Sequence, residues 1–272
     1  MLSDITIGQY FPGRSLLHRM DPRMKLVLTL LFIVVVFLPQ NWIGLAAAAA
    51  FTLAVVLLSR LPVRLLWRSV RPVLILVLFT SLLNMFYVTG GEPLLDVGFV
   101  HITTRGVNTA AFIAVRIVCL IMGSSLLTYT TTPTALTDAI EQLLAPLKVI
   151  HINAHELAMM MTIALRFIPT RMEETDKIMS AQKARGADME SGGLLRRVRA
   201  LVPILIPLFV SSFRRAYDLA MAMECRCYRG GEGRTRMKRL RTAPRDWAAL
   251  AVYVTVAAAV IWLNHSFGSV LK

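Results

Sequence analysis

Long apolar runs separated by short polar breaks fill most of this chain. After a polar opening that contains Arg14, Arg19, Arg23 and Lys25, residues Leu26 to Leu58 carry no charge and are broken only at Pro39-Gln40-Asn41. That run exceeds a single span of about 20 residues and suits two helices joined by a tight turn. The first is short, so its start draws in part of Asp21 to Lys25. Arg60, Arg64, Arg68 and Arg71 follow at spacings of three and four, which places them on one face of a short surface helix. Val73 to Val88 forms a third span. The loop Thr89 to Thr104 has Glu92 and Asp96 but no lysine or arginine, and Gly106 to Thr130 forms a fourth span.

The pattern changes at Thr131. Thr132 can cap a helix with Pro133 at its first position, and that helix runs through Leu136, Ile140, Leu143 and Leu144 to about Pro146. A longer helix starts near Asn153. Leu157, Met160, Met161, Ala164, Leu165, Ile168, Met172, Thr175 and Met179 make one stripe, with Arg166, Glu173, Glu174, Asp176 and Lys177 mostly off it. Pro169 is expected to kink it. Ser191-Gly192-Gly193 ends this unit, and a third helix carries the apolar run Leu201 to Phe213, including Pro203 and Pro207. Thirteen residues are too few to span, so this run is expected buried or at the interface. Trp247 to Asn264 forms a fifth span, with Trp247 and Trp262 as interface anchors.

These elements predict an all-α polytopic membrane protein with about five spans. Residues 1–130 form a membrane region of four, 131–245 a cytoplasmic region of two long helices and a short one, and 246–272 a last span with an external end. Composition agrees: 56% of the 272 residues are hydrophobic and the mean hydropathy is +0.61. The formal charge of +14 would suggest nucleic acid in a soluble protein. Here the bases flank apolar spans, where anionic lipid and the positive-inside bias explain them, so a bilayer and not nucleic acid is the expected partner. Four bases precede the first span, four follow the second, and none lies between the third and fourth, which puts the N-terminus inside. From Thr131 to Arg245 there are nineteen of the thirty bases and eleven of the sixteen acids, marking the water-facing part.

Cys119, Cys225 and Cys227 make no disulfide framework. The chain lacks a Walker A sequence and a nucleophile elbow, and His155-Glu156 is followed by Met159 where a zincin would have histidine. Neither catalysis nor a metal site is expected. Arg116, inside the fourth span, is costly in a bilayer unless paired or facing the bundle. With no acidic residue in any span, a structural role is favoured over transport, bonded to backbone carbonyls or to a side chain such as Asn84.

Two long helices of the charged region end in short basic motifs, Ala184-Arg185-Gly186 and Cys225-Arg226-Cys227. Each arginine alone reads as compensation of a helix C-terminus, with Gly186 as a cap. Together they look like matched plugs, each with a planar fork for a partner carboxylate.

Several stretches in order carry a resemblance: Asp4 to Gly13, Asp21-Pro22-Arg23-Met24-Lys25, Thr132-Pro133-Thr134, Leu143 to Lys148, Arg166-Phe167-Ile168-Pro169, Gln182 to Gly186 and Ala222 to Tyr228. The chain resembles the transmembrane T component of energy-coupling factor (ECF) transporters, prokaryotic importers of vitamins and metals. The resemblance implies two ABC-type ATPase subunits, which bind ATP and Mg, docked on Ala184, Arg185 and Gly186 and on Cys225, Arg226 and Cys227. It also implies one or several small S components that bind the substrate. No cofactor is then expected in this chain itself. The second motif departs from the family pattern, with cysteines where small residues flank the arginine.

Eight of fourteen methionines lie between Met159 and Met223. Such flexible, polarizable side chains suit a surface with several partners, and Met160, Met161, Met172, Leu201, Leu205 and Leu208 are the candidate S-component contacts. The bland reading is ordinary helix core. The rival functions are the permease of a conventional binding-protein-dependent ABC importer, a membrane-embedded enzyme and an assembly factor.

Overall fold

The computed structural model describes residues 10–87, 93–97, 100–146, 154–187, 193–230 and 240–266. Among them are eight helices: α1 (Pro22–Phe37), α2 (Trp42–Ser59), α3 (Val63–Tyr87), α4 (Thr104–Thr130), α5 (Pro133–Leu144), α6 (Ala154–Ala184), α7 (Leu194–Cys225) and α8 (Pro244–Ser266). An antiparallel hairpin, β1 (Pro93–Val97) and β2 (Val100–Thr103), occupies the acidic loop before α4 and pairs Asp96 with His101. The chain divides into two compact units, one around residues 140–237 and one formed by 8–139 with 238–272.

In the second unit α4 packs against α1, α2 and α3, while α8 packs against α1 and α2. Asp21 caps α1 through the Arg23 amide, and Asn41 caps α2 through the Gly44 amide. Pro39-Gln40-Asn41 is therefore the expected turn. Phe32, Val36 and Cys119 form one buried cluster, and Val56, Leu61, Leu66, Leu126 and Tyr129 form another. Gly123 lets α4 approach α1 closely, since a Cβ there would stand 2.1 Å from the buried Phe32 ring.

Polar contacts fix how the helices run. The Lys25 ammonium donates to the Thr130 carbonyl at 2.9 Å, and the Asp21 amide donates to Asp246 at 3.3 Å. The starts of α1 and α8 thus share an end with the close of α4. At the other end Asn264 donates to the Leu38 carbonyl and accepts from the Gln40 amide at 3.1 Å, while Asn41 donates to the Leu263 carbonyl at 3.0 Å. Helices α1 and α8 run parallel, so the N-terminal end of α1 and the C-terminal end of α8 lie at opposite ends of the bundle. The Arg116 guanidinium belongs to that second polar layer. It donates to the Pro39 carbonyl and sits 4.8 Å from the Phe112 ring centroid, whereas Asn84 donates to Thr80 in its own helix. Arg116, midway along α4, is thus level with the turn that ends α1.

Among the described residues five helices are long and apolar enough to cross a membrane, as expected in number: α2, α3, α4, α7 over Arg199–Cys225, and α8. Their membership differs from the expectation at α1 and α7, and α3 begins earlier than expected. At 16 residues, α1 reaches only about 24 Å, short of a hydrocarbon core of about 30 Å, yet it runs the same depth as α2 and α8. The basic segment Arg64 to Arg71 is not a separate surface helix but the first turns of α3, which continues through Pro72. The run Leu201 to Phe213, expected too short to span, lies within α7, whose stretch Arg199–Cys225 is long and apolar enough to cross. Pro203 and Pro207 are four apart, so the donors they lack fall on one face, and both lie exposed within a continuous 32-residue helix.

Candidate coupling surface

Helices α6 and α7 make the paired element of the first unit. Tyr228 donates to the Met159 sulfur at 2.9 Å, the Arg215 guanidinium lies 5.5 Å from the Phe167 centroid, and Ser211 meets Glu174. Positions fall along α6 as they rise along α7, so the helices are antiparallel. Arg185 and Arg226 consequently sit at opposite ends of the pair, roughly 40 Å apart along it at 1.5 Å per residue.

The two ends are closed by the same backbone motif. At the first, the Gly186 amide donates to Lys183 and the Ala187 amide to Gln182, both at 3.0 Å. At the second, the Cys227 amide donates to Glu224 at 2.8 Å and the Tyr228 amide to Met223 at 3.0 Å. Each is a Schellman cap, in which a left-handed residue turns the chain back over the last carbonyls. Gly186 has φ +83° and Cys227 φ +55°. Ala184 and Cys225 are the last helical residues, Arg185 and Arg226 the caps, and all six motif residues are exposed. The cysteine-for-glycine departure at Cys227 has thus preserved the turn, at a cost of about 1–2 kcal/mol for a side chain in the left-handed region.

A polar clamp joins the helices between these ends. Arg171 donates to Glu174 and to Ser211, each at 2.8 Å, Ser211 donates to the other Glu174 oxygen, and Arg215 stands 3.7 Å from Glu174. The Ser211 hydroxyl foremost, with Arg171 and Arg215, holds the Glu174 carboxyl below its ordinary range. Sequence reading placed Glu174 off the apolar stripe without a role. The available signal was Ser211-Ser212, two hydroxyls ending an apolar run.

Of the candidate S-component contacts, Met160, Met161, Leu201 and Leu205 are exposed, while Met172 and Leu208 are half-buried. Leu201 and Leu205 belong to a longer exposed series at spacing four that adds Phe209 and Phe213, whose rings meet edge to face at 4.9 Å. Phe209 is 66% exposed, far more than a core side chain would be. Phe209 and Phe213 lie in the run expected buried or at the interface, and their exposure fits the second of these. Among the described residues no group of three or more His, Cys, Asp or Glu could hold a metal, and His155 instead pairs with Glu141 at 2.8 Å.

Residues 13–237 match the model of the CbiQ family, described as cobalt transport protein. An energy-coupling factor transporter transmembrane protein of Clostridium kluyveri is 53% identical over 264 residues, covering 96% of this chain and 97% of that one. The proteins of the same name from Ruminiclostridium cellulolyticum and Bacillus subtilis are 50% and 47% identical, covering 98% and 97% of this chain and all of their own length. This chain belongs to the transmembrane T-component family of ECF transporters. It is therefore the membrane component of a transporter that has further subunits, and its apolar helices fit a cell membrane. Within that T component, α6 and α7 are the two long helices whose ends carry the paired arginine motifs.

Proposed function

We propose that this T component is a non-catalytic coupling subunit that transmits the motion of two ATPase subunits to a substrate-binding S component. The observation that carries this is the repetition of one capped tip, with an exposed arginine, at both ends of a single antiparallel helix pair. Each guanidinium offers a carboxylate-matching fork, so Arg185 docks one ATPase subunit and Arg226 the other. ATP and Mg belong to those subunits, and this chain holds no cofactor. A rigid-body movement of the ATPases changes the crossing of α6 and α7 about the Glu174 clamp. The exposed ridge Leu201, Leu205, Phe209 and Phe213, with Met160 and Met161, faces one or several S components, whose pocket selects the vitamin or other micronutrient.

In this reading 1–130 and 246–272 lie in the membrane and 131–245 on the cytoplasmic side. The positive-inside bias supports a cytoplasmic N-terminus, and the parallel course of α1 and α8 then supports an external C-terminal end. Length and composition admit α7 as a span. Its ion-paired clamp with the charged helix α6 supports a coupling role at the membrane surface instead.

Affinity purification of this chain with its natural partners, with subunit stoichiometry from native mass spectrometry, tests the reading. One copy of this chain with two ATPase subunits and one small apolar protein is the expected result. Two copies of this chain per ATPase pair would indicate a conventional permease, and no ATPase at all would indicate an assembly factor.

A further inference from the structure

The membrane bundle contains an apolar cavity of about 330 Å³ between α1, α2, α4 and α8. Its deep wall includes Phe32, Phe51, Gly123 and Tyr253, and the Phe51 and Tyr253 rings close it edge to face at 4.8 Å. From that pair the lining continues along α2 through Thr52, Val55 and Leu58, and along α8 through Val252, Ala249, Ala248 and Arg245. Leu58, Val252 and Arg245 are exposed, so the cavity opens sideways between α2 and α8. In a bilayer that opening faces lipid in the leaflet on the Lys25 side.

The charged side chains that line the cavity have one sign, although Asp21 and Asp246 stand close behind Lys25. Among the described residues the lining charges are Lys25 and Arg245. Lys25 is occupied, donating to the Thr130 carbonyl and to the Thr131 hydroxyl at 3.3 Å, with Asp21 and Asp246 beside it. Arg245 stands at the rim. An apolar slot with a lateral opening and a cation at the headgroup end fits an amphiphile whose chain is apolar and whose head is anionic. Backbone amides do not compete for that head, since the buried Asp246 carboxylate already takes those of Asp21 and Ala243.

We propose that this cavity is a binding site for one anionic phospholipid, with an acyl chain between α2 and α8 and its phosphate on Arg245. The bound lipid fills space that α1, α2, α4 and α8 leave open, and ties the start of α8 to the bilayer. The site lies wholly in the membrane bundle and is independent of the docking tips.

The test uses the complete transporter complex in detergent, offered phosphatidylglycerol or phosphatidylcholine at equal concentration, with bound lipid counted by native mass spectrometry. The wild-type complex retains one phosphatidylglycerol, about fivefold more occupied than phosphatidylcholine. Arg245→Gln, a surface change, abolishes that preference in a complex that still assembles. Ala249→Phe fills the slot and removes both lipids. Equal retention of the two lipids by wild type, an unchanged preference in Arg245→Gln, or undiminished lipid in an assembled Ala249→Phe complex would each overturn the proposal.

Discussion

The membrane bundle and the coupling pair are both built from long helices, but they are held in different ways. In the bundle, α4 packs against three neighbouring helices, its buried face is mostly apolar, and the main polar contacts between helices sit in two layers near the helix ends. In the coupling pair, α6 and α7 meet through a charged clamp and a few side-chain contacts, and a ridge of leucine and phenylalanine is left uncovered. A core of interlocked apolar side chains resists deformation. A pair joined by one polar clamp can change its crossing while keeping its ends capped. The contrast assigns rigidity to the spans and movement to the pair, as a coupling subunit needs.

The contrast breaks most visibly at Gly123. A Cβ there meets Phe32 at 2.1 Å, and Phe32 is buried and unable to yield. Gly123→Leu is expected to lower stability by about 3 kcal/mol, at the upper end of overpacking costs. Thermal unfolding followed by intrinsic fluorescence checks this, and an unchanged midpoint would show that the bundle is looser than described.

At Glu174 the expected loss is smaller and local. Glu174→Ala leaves Arg171 and Ser211 without their acceptor, for about 1 kcal/mol in a clamp a quarter exposed. Faster backbone hydrogen exchange confined to α6 and α7, with the bundle unaffected, is the readout. The folded carboxyl titrates below its unfolded value, so the clamp is fully formed above the ordinary carboxylate range and weakens as pH falls through the lowered folded value. Wild-type protection in α6 and α7, corrected for the intrinsic pH dependence of amide exchange, should therefore fall at acid pH toward that of the variant.

The two tips give the smallest effects, with opposite signs. Gly186→Ala puts a Cβ into the left-handed region, and Cys227→Gly takes one out, each for about 1 kcal/mol. The Ala187 amide should exchange about fivefold faster in the first variant and the Tyr228 amide about fivefold slower in the second. Equal responses would mean that the shared cap does not govern the tips.

Much of this was legible in the chain because the signals were local. Pro39-Gln40-Asn41 marked a turn and Thr132-Pro133 a helix start, and Gly193 caps the start of α7, while Ser191 and Gly192 lie outside the described residues. The arginine motifs were readable as a pair, since each ends an amphipathic helix. Other features depend on what lies across space. The basic segment was expected to end before Pro72, but neighbouring turns carry α3 past the missing donor. The length of α1 follows from the polar layer formed with Asn264, more than 220 residues away in sequence. Glu174 gained its role only when α7 placed Ser211 and Arg215 beside it. The left-handed turn at Cys227 could not be read from a residue type that seldom adopts it.

The central claim is that Arg185 and Arg226 are two equivalent docking points for ATPase subunits. It is tested most directly by charge reversal at each, alone and together, with ATPase subunits per purified chain as the readout. Arg185→Glu and Arg226→Glu should each weaken retention of an ATPase subunit, and the double variant should retain none, through like-charge opposition to the partner carboxylates. A double variant that still purifies with two ATPase subunits would contradict the account.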